Sequence, residues 1–167
     1  MPYNILITGA NGQLGHCLQD IAQTEYGNGN HFFYTDVDTL DICDKQQVKD
    51  FVEQNDIHVL INAAAYTAVD KAEDDVELAY KLNRDAVANL ASIAAAHHIY
   101  MIHISTDYVF SGKNYIPYRE DEPFEPLSIY GKTKAAGELE MQKSGCDGTI
   151  IRTSWLYSEY GHNFVKT

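Results

Sequence analysis

The sequence is poor in positive charge, in cysteine and in long apolar runs. Lysine and arginine total 12 against 24 aspartates and glutamates, a net charge of −12. Because phosphate contacts need an excess of cations, this balance argues against a nucleic-acid-binding surface. No apolar stretch approaches the ~20 residues of a membrane helix, and the first residues lack the charged segment of a signal peptide. We therefore expect a cytoplasmic protein without nucleic-acid or membrane partners.

The cysteines and acidic residues follow no metal-binding pattern. Cys17, Cys43 and Cys146 are an odd number and lack C-x-x-C spacing, which favours free thiols in a reducing compartment. No grouping of His, Cys, Asp or Glu has the spacing of metal ligands. The sequence therefore predicts no metal site in this chain.

Short apolar runs alternate with longer amphipathic segments along the chain. With 167 residues, 45% of them hydrophobic, one domain with a substantial core is expected over residues 1–167. The periodicity predicts strands at residues 4–8, 31–35, 59–62, 101–105 and 149–153, and helices at residues 12–22, 45–54, 76–98 and 129–143. This order predicts an α/β fold, a Rossmann-like doubly wound parallel sheet in three αβα layers, with ligands at the carboxyl ends of the strands.

A glycine-rich turn directly follows the first predicted strand. Gly9, Gly12 and Gly15 are three residues apart, the pattern that lets a pyrophosphate approach the start of a helix, where backbone amides bind it. Asp36 ends the second strand, where a carboxylate accepts hydrogen bonds from an adenosine ribose. No arginine or lysine lies between Gly15 and Lys45 to hold a 2′-phosphate, so we expect NADH to bind at least as well as NADPH.

Tyr130 and Lys134 are four residues apart and share one face of a predicted helix. A tyrosine can protonate an alkoxide near neutral pH, and a nearby ammonium lowers its pKa towards the working range. Thr106 places a hydroxyl at the carboxyl end of the fourth predicted strand. Together these three residues match the catalytic set of short-chain dehydrogenases.

Five segments carry a resemblance that covers essentially the whole chain: GANGQLG, INAAAYTAVDKAEDD, HISTDYVFSG, PLSIYGKTKAAGE and IIRTSWLYSEYGHNFVKT. They resemble the dTDP-4-dehydrorhamnose reductases, which are extended short-chain dehydrogenases/reductases. The resemblance implies reduction of the 4-keto group of dTDP-4-dehydro-L-rhamnose by NADPH or NADH, the last step of dTDP-L-rhamnose synthesis for cell-surface polysaccharide.

The resemblance also implies the roles of individual residues. Thr106, Tyr130 and Lys134 match the catalytic set, with Tyr130 as proton donor and Lys134 on the nicotinamide ribose. Residues that match the family's cofactor contacts are Gly9, Gly12, Gln13, Leu14, Gly15, Asp36, Asp41, Ile42, Ala65, Tyr66, Thr67, Tyr130 and Lys134. Residues that match its contacts with the dTDP-4-keto-6-deoxy sugar are Thr106, Asp107 and Trp155. At Tyr66 the family varies, so its backbone alone is expected to matter, and Trp155 could instead pack over the fifth strand.

Two expectations concern the extent of the chain and its alternatives. Five strands are predicted where this class of fold uses about six, so we expect an N-terminal fragment without the substrate-binding lobe. The family's Mg²⁺ at a dimer contact would then belong to the full-length homodimer. The alternatives are a noncatalytic, NADP-binding regulatory subunit of methionine adenosyltransferase, which a partner pull-down would reveal, or another nucleotide-sugar epimerase, dehydratase or reductase.

Overall fold

A computed structural model describes residues 2–24, 27–161 and 163–166. Met1, residues 25–26, His162 and Thr167, which belong to the predicted domain, lie outside the described residues. The strands are β1 (Asn4–Thr8), β2 (His31–Thr35), β3 (Val59–Asn62), β4 (Tyr100–Thr106) and β5 (Gly148–Thr153). The helices are α1 (Gln13–Ala22), α2 (Lys45–Gln54), α3 (Val76–Tyr80), α4 (Ala86–His97) and α5 (Ile129–Ser144). Every predicted strand and helix is therefore confirmed, with its ends within a residue or two.

The five strands form one parallel sheet in the order β2-β1-β3-β4-β5. The chain steps outwards from β1 to β2, returns past β1 to β3, and then continues in one direction. Since crossovers between parallel strands are right-handed, α1 lies on one face of the sheet and the later helices lie on the other. This is the predicted doubly wound α/β arrangement, and its reversal point lies between β1 and β3, where such sheets bind ligands.

The main core lies between the sheet and the later helices. Leu6, Leu60 and Met101 project from the middle strands and pack with Val87 and Leu90 of α4, all of them fully buried. On the opposite face Ile151 remains 43% exposed. Burial of the first face docks α4 and α5 on the sheet and so determines where the carboxyl ends of the strands meet these helices.

The third predicted helix differs from expectation in one respect. It is helical from residue 76 to 97, but Lys81–Asp85 forms a π-helical turn between α3 and α4. A π turn carries one extra residue and is frequent at functional sites. Here it directs the buried side chain of Asn83 towards the loop after β3 and towards α5.

Within the described ranges, no helix combines the length and the apolar character that crossing a bilayer requires.

Candidate active site

One cleft of about 930 Å³ runs along the carboxyl ends of the strands. Its volume is in the range of sites for cofactors and small molecules. Fifteen of the residues predicted for cofactor, catalysis or substrate line it: Gly9, Gly12, Gln13, Leu14, Gly15, Asp36, Asp41, Ile42, Ala65, Thr67, Thr106, Asp107, Tyr130, Lys134 and Trp155. Tyr66, which was also predicted, does not line it. The fold thus brings positions from the first 15 residues and from the last third of the chain into one site.

The glycine-rich turn leaves room that any larger residue would fill. Gly9 has a φ of +70°, and a Cβ there would lie 2.6 Å from the backbone nitrogen of Ala64. A Cβ on Gly15 would overlap the carbonyl of Ala10. Within the described part of the chain no side chain caps the start of α1, so its first amides can bind an anion. Gln13 Nε2 is also buried there without a hydrogen-bond partner among the described residues.

Asp36 connects the end of β2 to the glycine-rich turn. Its Oδ2 accepts a hydrogen bond from the amide of Asn11 at 3.0 Å, and its Oδ1 accepts one from the amide of Val37 at 2.8 Å. A carboxylate has about four lone-pair directions, so acceptor capacity for hydroxyls remains. Of the lining residues in the described part of the chain, Lys134 is the only lysine or arginine. No cation of this set is therefore beside Asp36 to pair with a 2′-phosphate.

The loop after β3 is held through its backbone by Asn83. The amide of Tyr66 donates to Asn83 Oδ1 at 2.9 Å, and Asn83 Nδ2 donates back to the Tyr66 carbonyl at 3.0 Å. The Tyr66 hydroxyl donates to Asp75 at 2.9 Å and does not line the cleft. Asp75 thus holds the side chain of Tyr66 outside the cleft, and a cofactor contact through the Tyr66 backbone stays a prediction. Ala65 and Thr67, on either side, do line the cleft.

Helix α5 begins directly beside the cleft. Ser128 caps it by accepting a hydrogen bond from the Gly131 amide at 3.1 Å, and Glu73 accepts one from the Ile129 amide at 2.8 Å. A side chain at position 131 would collide with the Tyr108 carbonyl. Glycine therefore lets the first turn of α5 approach the turn that follows β4, which brings Tyr130 into the cleft.

Tyr130 and Thr106 are neighbours in the cleft. Burial raises the pKa of Tyr130, and the nearby Asp107 and Tyr108 raise it further, while a hydrogen bond with Thr106 acts in the opposite direction. This net direction is opposite to the lowering that we expected from Lys134. A phenol with a raised pKa stays protonated at neutral pH, which preserves its capacity to act as a proton donor.

Lys134 is buried beneath the cleft. It is 2% exposed, and its Nζ donates to the carbonyl of Ile104 at 2.7 Å. Burial lowers its pKa to about 8, against a raising effect of Glu138. Since this pKa remains above 7, the side chain is an ammonium at neutral pH. It supplies a positive charge in a site where the water that would screen it is scarce.

Asp107 and Trp155 mark the part of the cleft where a substrate was predicted to bind. Thr106 donates a hydrogen bond to Asp107 Oδ1 at 3.2 Å. Trp155 is 66% exposed, has a φ of +51° and contacts Phe164 edge to face, with ring centroids 5.3 Å apart. Its exposure and its place in the lining of the cleft favour a substrate contact over packing on β5, and the contact itself stays a prediction.

Sequence reasoning missed three buried polar residues around this site and a half-buried arginine that pairs with one of them. Asn83 interrupts an apolar helix, His103 interrupts β4, and Glu138 forms an ion pair with Arg152. Burial, together with the charge of Lys134, lowers the pKa of His103 well below its usual value. The sequence shows each of these residues as a polar residue at a position where the hydrophobic periodicity predicts an apolar one. That pattern does not identify the hydrogen-bond or ion-pair partner of the residue.

The comparisons with known proteins agree with this geometry. The family model of the RmlD substrate binding domain matches residues 3–167. The dTDP-4-dehydrorhamnose reductase of Aggregatibacter actinomycetemcomitans is 44% identical over 98% of this chain and 55% of that protein. The chain spans about half the length of the curated relatives it matches.

Solved structures show the same similarity in three dimensions. The dTDP-4-dehydrorhamnose reductase of Bacillus anthracis in complex with NADP superposes with a TM-score of 0.94 at 40% identity, over 99% of this chain and 58% of that one. The ortholog from Clostridium acetobutylicum superposes with a TM-score of 0.92 at 44% identity, over 98% and 57%. A more distant likeness, to UDP-glucose 4-epimerase of Thermus thermophilus at 20% identity with a TM-score of 0.76 over 89% of this chain and 54% of that one, shows the fold alone.

Proposed function

Because the chain belongs to the RmlD substrate binding domain family, matched over residues 3–167, we propose that it forms the cofactor-binding and catalytic part of a dTDP-4-dehydrorhamnose reductase. The proposed reaction is the reduction of the 4-keto group of dTDP-4-dehydro-L-rhamnose. The main support for this proposal is that Thr106, Tyr130 and Lys134 line the same cleft as the glycine-rich turn. The chain spans about half of its curated relatives, so the activity is proposed for the full-length enzyme.

The glycine-rich turn and Asp36 would hold a dinucleotide. The uncapped start of α1, the space at Gly9 and Gly15, and the unpartnered Gln13 Nε2 fit the pyrophosphate. Asp36 would accept hydrogen bonds from the adenosine ribose, with Asp41 and Ile42 beside the adenine. Its negative charge repels a 2′-phosphate, so we propose that NADH binds at least as well as NADPH.

Tyr130 would act as the general acid. A nicotinamide cofactor supplies the hydride when it is bound. Tyr130 would give its phenolic proton to the oxygen of the sugar carbonyl as that oxygen becomes an alkoxide, and Thr106 would hold this oxygen by a hydrogen bond. The ammonium of Lys134 would hold the nicotinamide ribose and stabilise the phenolate left on Tyr130. Asp107 and Trp155, at the open side of the cleft, would contact the nucleotide sugar.

The test is the substitution Tyr130→Phe in the full-length enzyme, with Tyr108→Phe as the matched control. The centroids of the two rings lie 5.7 Å apart in an edge-to-face contact, and the hydroxyl of Tyr108 neither donates the proton nor holds the carbonyl oxygen in the proposed reaction. Turnover of dTDP-4-dehydro-L-rhamnose, followed by the absorbance of NADH, is expected to fall about 10²-fold or more in the first variant, the range for a general acid. Cofactor affinity should change less than about threefold.

Two results would refute parts of this proposal. Unchanged turnover in the first variant would remove Tyr130 as the acid. A wild-type enzyme that binds dinucleotide and shows no turnover would favour the regulatory-subunit alternative, which needs binding alone.

A further inference from the structure

A buried carboxylate lies two helical turns beyond the proposed acid. Glu138 is 0% exposed and follows Tyr130 and Lys134 at successive four-residue steps, so all three lie along one stripe of α5. The proposed reaction gives Glu138 no task. A buried charge is costly unless it is paired, so its position demands a structural or functional reason.

Glu138 binds the ends of two strands at once. Its Oε1 accepts a hydrogen bond from the hydroxyl of Ser105, at the end of β4. Its Oε2 accepts one from Arg152 Nη2 at 2.7 Å, and Arg152 Nε lies 3.1 Å and 3.2 Å from the two carboxylate oxygens. One side chain of α5 is therefore tied to β4 and, by a forked arginine contact, to β5.

Arg152 extends the connection to the loop that precedes α5. Its Nη1 donates to the carbonyl of Glu120 at 3.0 Å. Its guanidinium lies over the rings of Phe110 and Phe124, 4.9 Å and 5.1 Å from their centroids. Such cation–π contacts gain strength when the cation is shielded from water. The ion pair is therefore shielded on the Arg152 side by two aromatic rings and a backbone carbonyl, with the carboxylate fully buried.

The contacts of α5 with β4 fall on consecutive residues. Lys134 Nζ binds the carbonyl of Ile104, Glu138 binds the hydroxyl of Ser105, and the next residue is Thr106. These two hydrogen bonds fix the rotation of α5 about its own axis and therefore the direction of the Tyr130 side chain. They lie next to Thr106, whose hydroxyl Tyr130 must face.

We propose that Glu138, through Ser105 and Arg152, is a positioning residue that docks α5 on the ends of β4 and β5 so that Tyr130 and Lys134 face Thr106. Its negative charge also favours the charged form of Lys134. Among the described residues, other titratable or charged groups near this lysine include Tyr130 one turn earlier on α5, His103 on β4 and, across Glu138, Arg152 on β5. This proposal rests on the proposed reductase function for its kinetic consequences alone.

The test compares Glu138→Gln with Glu140→Gln, a control two residues away whose ion pair with Lys143 lies at the surface. In the full-length enzyme, Glu138→Gln is expected to lower kcat about tenfold or more, with the KM for cofactor within about threefold, because misalignment affects the reacting atoms more than binding. The control should match the wild type. Ser105→Ala, which removes one hydrogen bond and keeps the ion pair, should give a smaller fall in kcat in the same direction.

A second readout needs no turnover. With ¹³Cε-labelled lysine, NMR titration of this chain should show that the pKa of Lys134 is about one pH unit lower in Glu138→Gln than in the wild type, and unchanged in Glu140→Gln. A pKa of Lys134 that is the same in Glu138→Gln as in the wild type would overturn the positioning role. So would a folded Glu138→Gln variant that has lower thermal stability but an unchanged kcat. If the wild type has no reductase activity, the proposed function fails while the NMR titration still decides this inference.

Discussion

Replacing Lys134 with methionine is expected to stabilise the protein at neutral pH. The side chain is 2% exposed, and burial lowers its pKa from 10.5 to about 8. Since one pKa unit corresponds to about 1.4 kcal/mol, keeping this lysine charged at pH 7 costs about 3 kcal/mol of folding free energy. Methionine has a similar length and no charge. Loss of the hydrogen bond to the Ile104 carbonyl cancels about 1 kcal/mol of this stabilisation. The free energy of unfolding of Lys134→Met should therefore exceed that of the wild type by about 2 kcal/mol at pH 7.

The pH dependence separates this charge effect from packing. Because the pKa of Lys134 is lower in the folded state, between about pH 8 and pH 10.5 the unfolded chain holds a proton that the folded chain has released. The free energy of unfolding of the wild type therefore gains about 3 kcal/mol from this residue as the pH rises through that window. Lys134→Met lacks the gain, so its advantage should disappear towards pH 10.

Urea unfolding followed by circular dichroism at pH 7, 8, 9 and 10 measures these differences. Lys132→Met is the matched control, since Lys132 lies on the same helix and is exposed. Titration of tyrosines and growing charge repulsion at high pH affect all three proteins alike and cancel in the differences between them. A difference between Lys134→Met and wild type that stays constant from pH 7 to pH 10 would refute the reasoning.

Two further predictions concern cofactor binding and use fluorescence titration with NADH and NADPH. Gly15→Ala should lower the affinity for both cofactors at least about tenfold, because its Cβ would overlap the Ala10 carbonyl and displace the start of α1. A variant with the same affinity as the wild type would mean that α1 does not hold the anion. Asp36→Asn should weaken NADH binding about fivefold or more, roughly 1 kcal/mol, and shift the preference towards NADPH. Asp38→Asn, at an exposed neighbouring position, should change neither the affinity nor the preference. A preference for NADPH in the wild type would contradict the role of Asp36.

The agreement between predicted and observed elements has a local cause. The strand 59–62 and the helix 45–54 were placed to the residue, because runs of β-branched residues and the 3.6-residue period are properties of short segments. The capping of α2 by Asp44, which accepts hydrogen bonds from the amides of Gln46 and Gln47, is equally local. Parallel order then followed from the alternation of the two kinds of element and the handedness of their crossovers.

The predicted site residues that line the cleft could be found for a related reason. Gly9, Asp36 and Thr106 each follow a strand, and the carboxyl ends of parallel strands share one edge of the sheet. Tyr66 also follows a strand, yet its hydroxyl turns to Asp75. Position after a strand thus locates a residue at the edge without determining the direction of its side chain.

The sequence by itself determined the doubly wound sheet, the dinucleotide-type turn and the spacing of Tyr130 and Lys134, because each depends on residues close together in the chain. Tertiary structure alone decided the raised pKa of Tyr130, the burial of Lys134 and the ion pair of Glu138 with Arg152. These depend on exclusion of water and on distances between segments that no spacing encodes. Folding brings a charged side chain next to its partner and removes it from water, so the ion pair and its desolvation cost exist only in the packed structure.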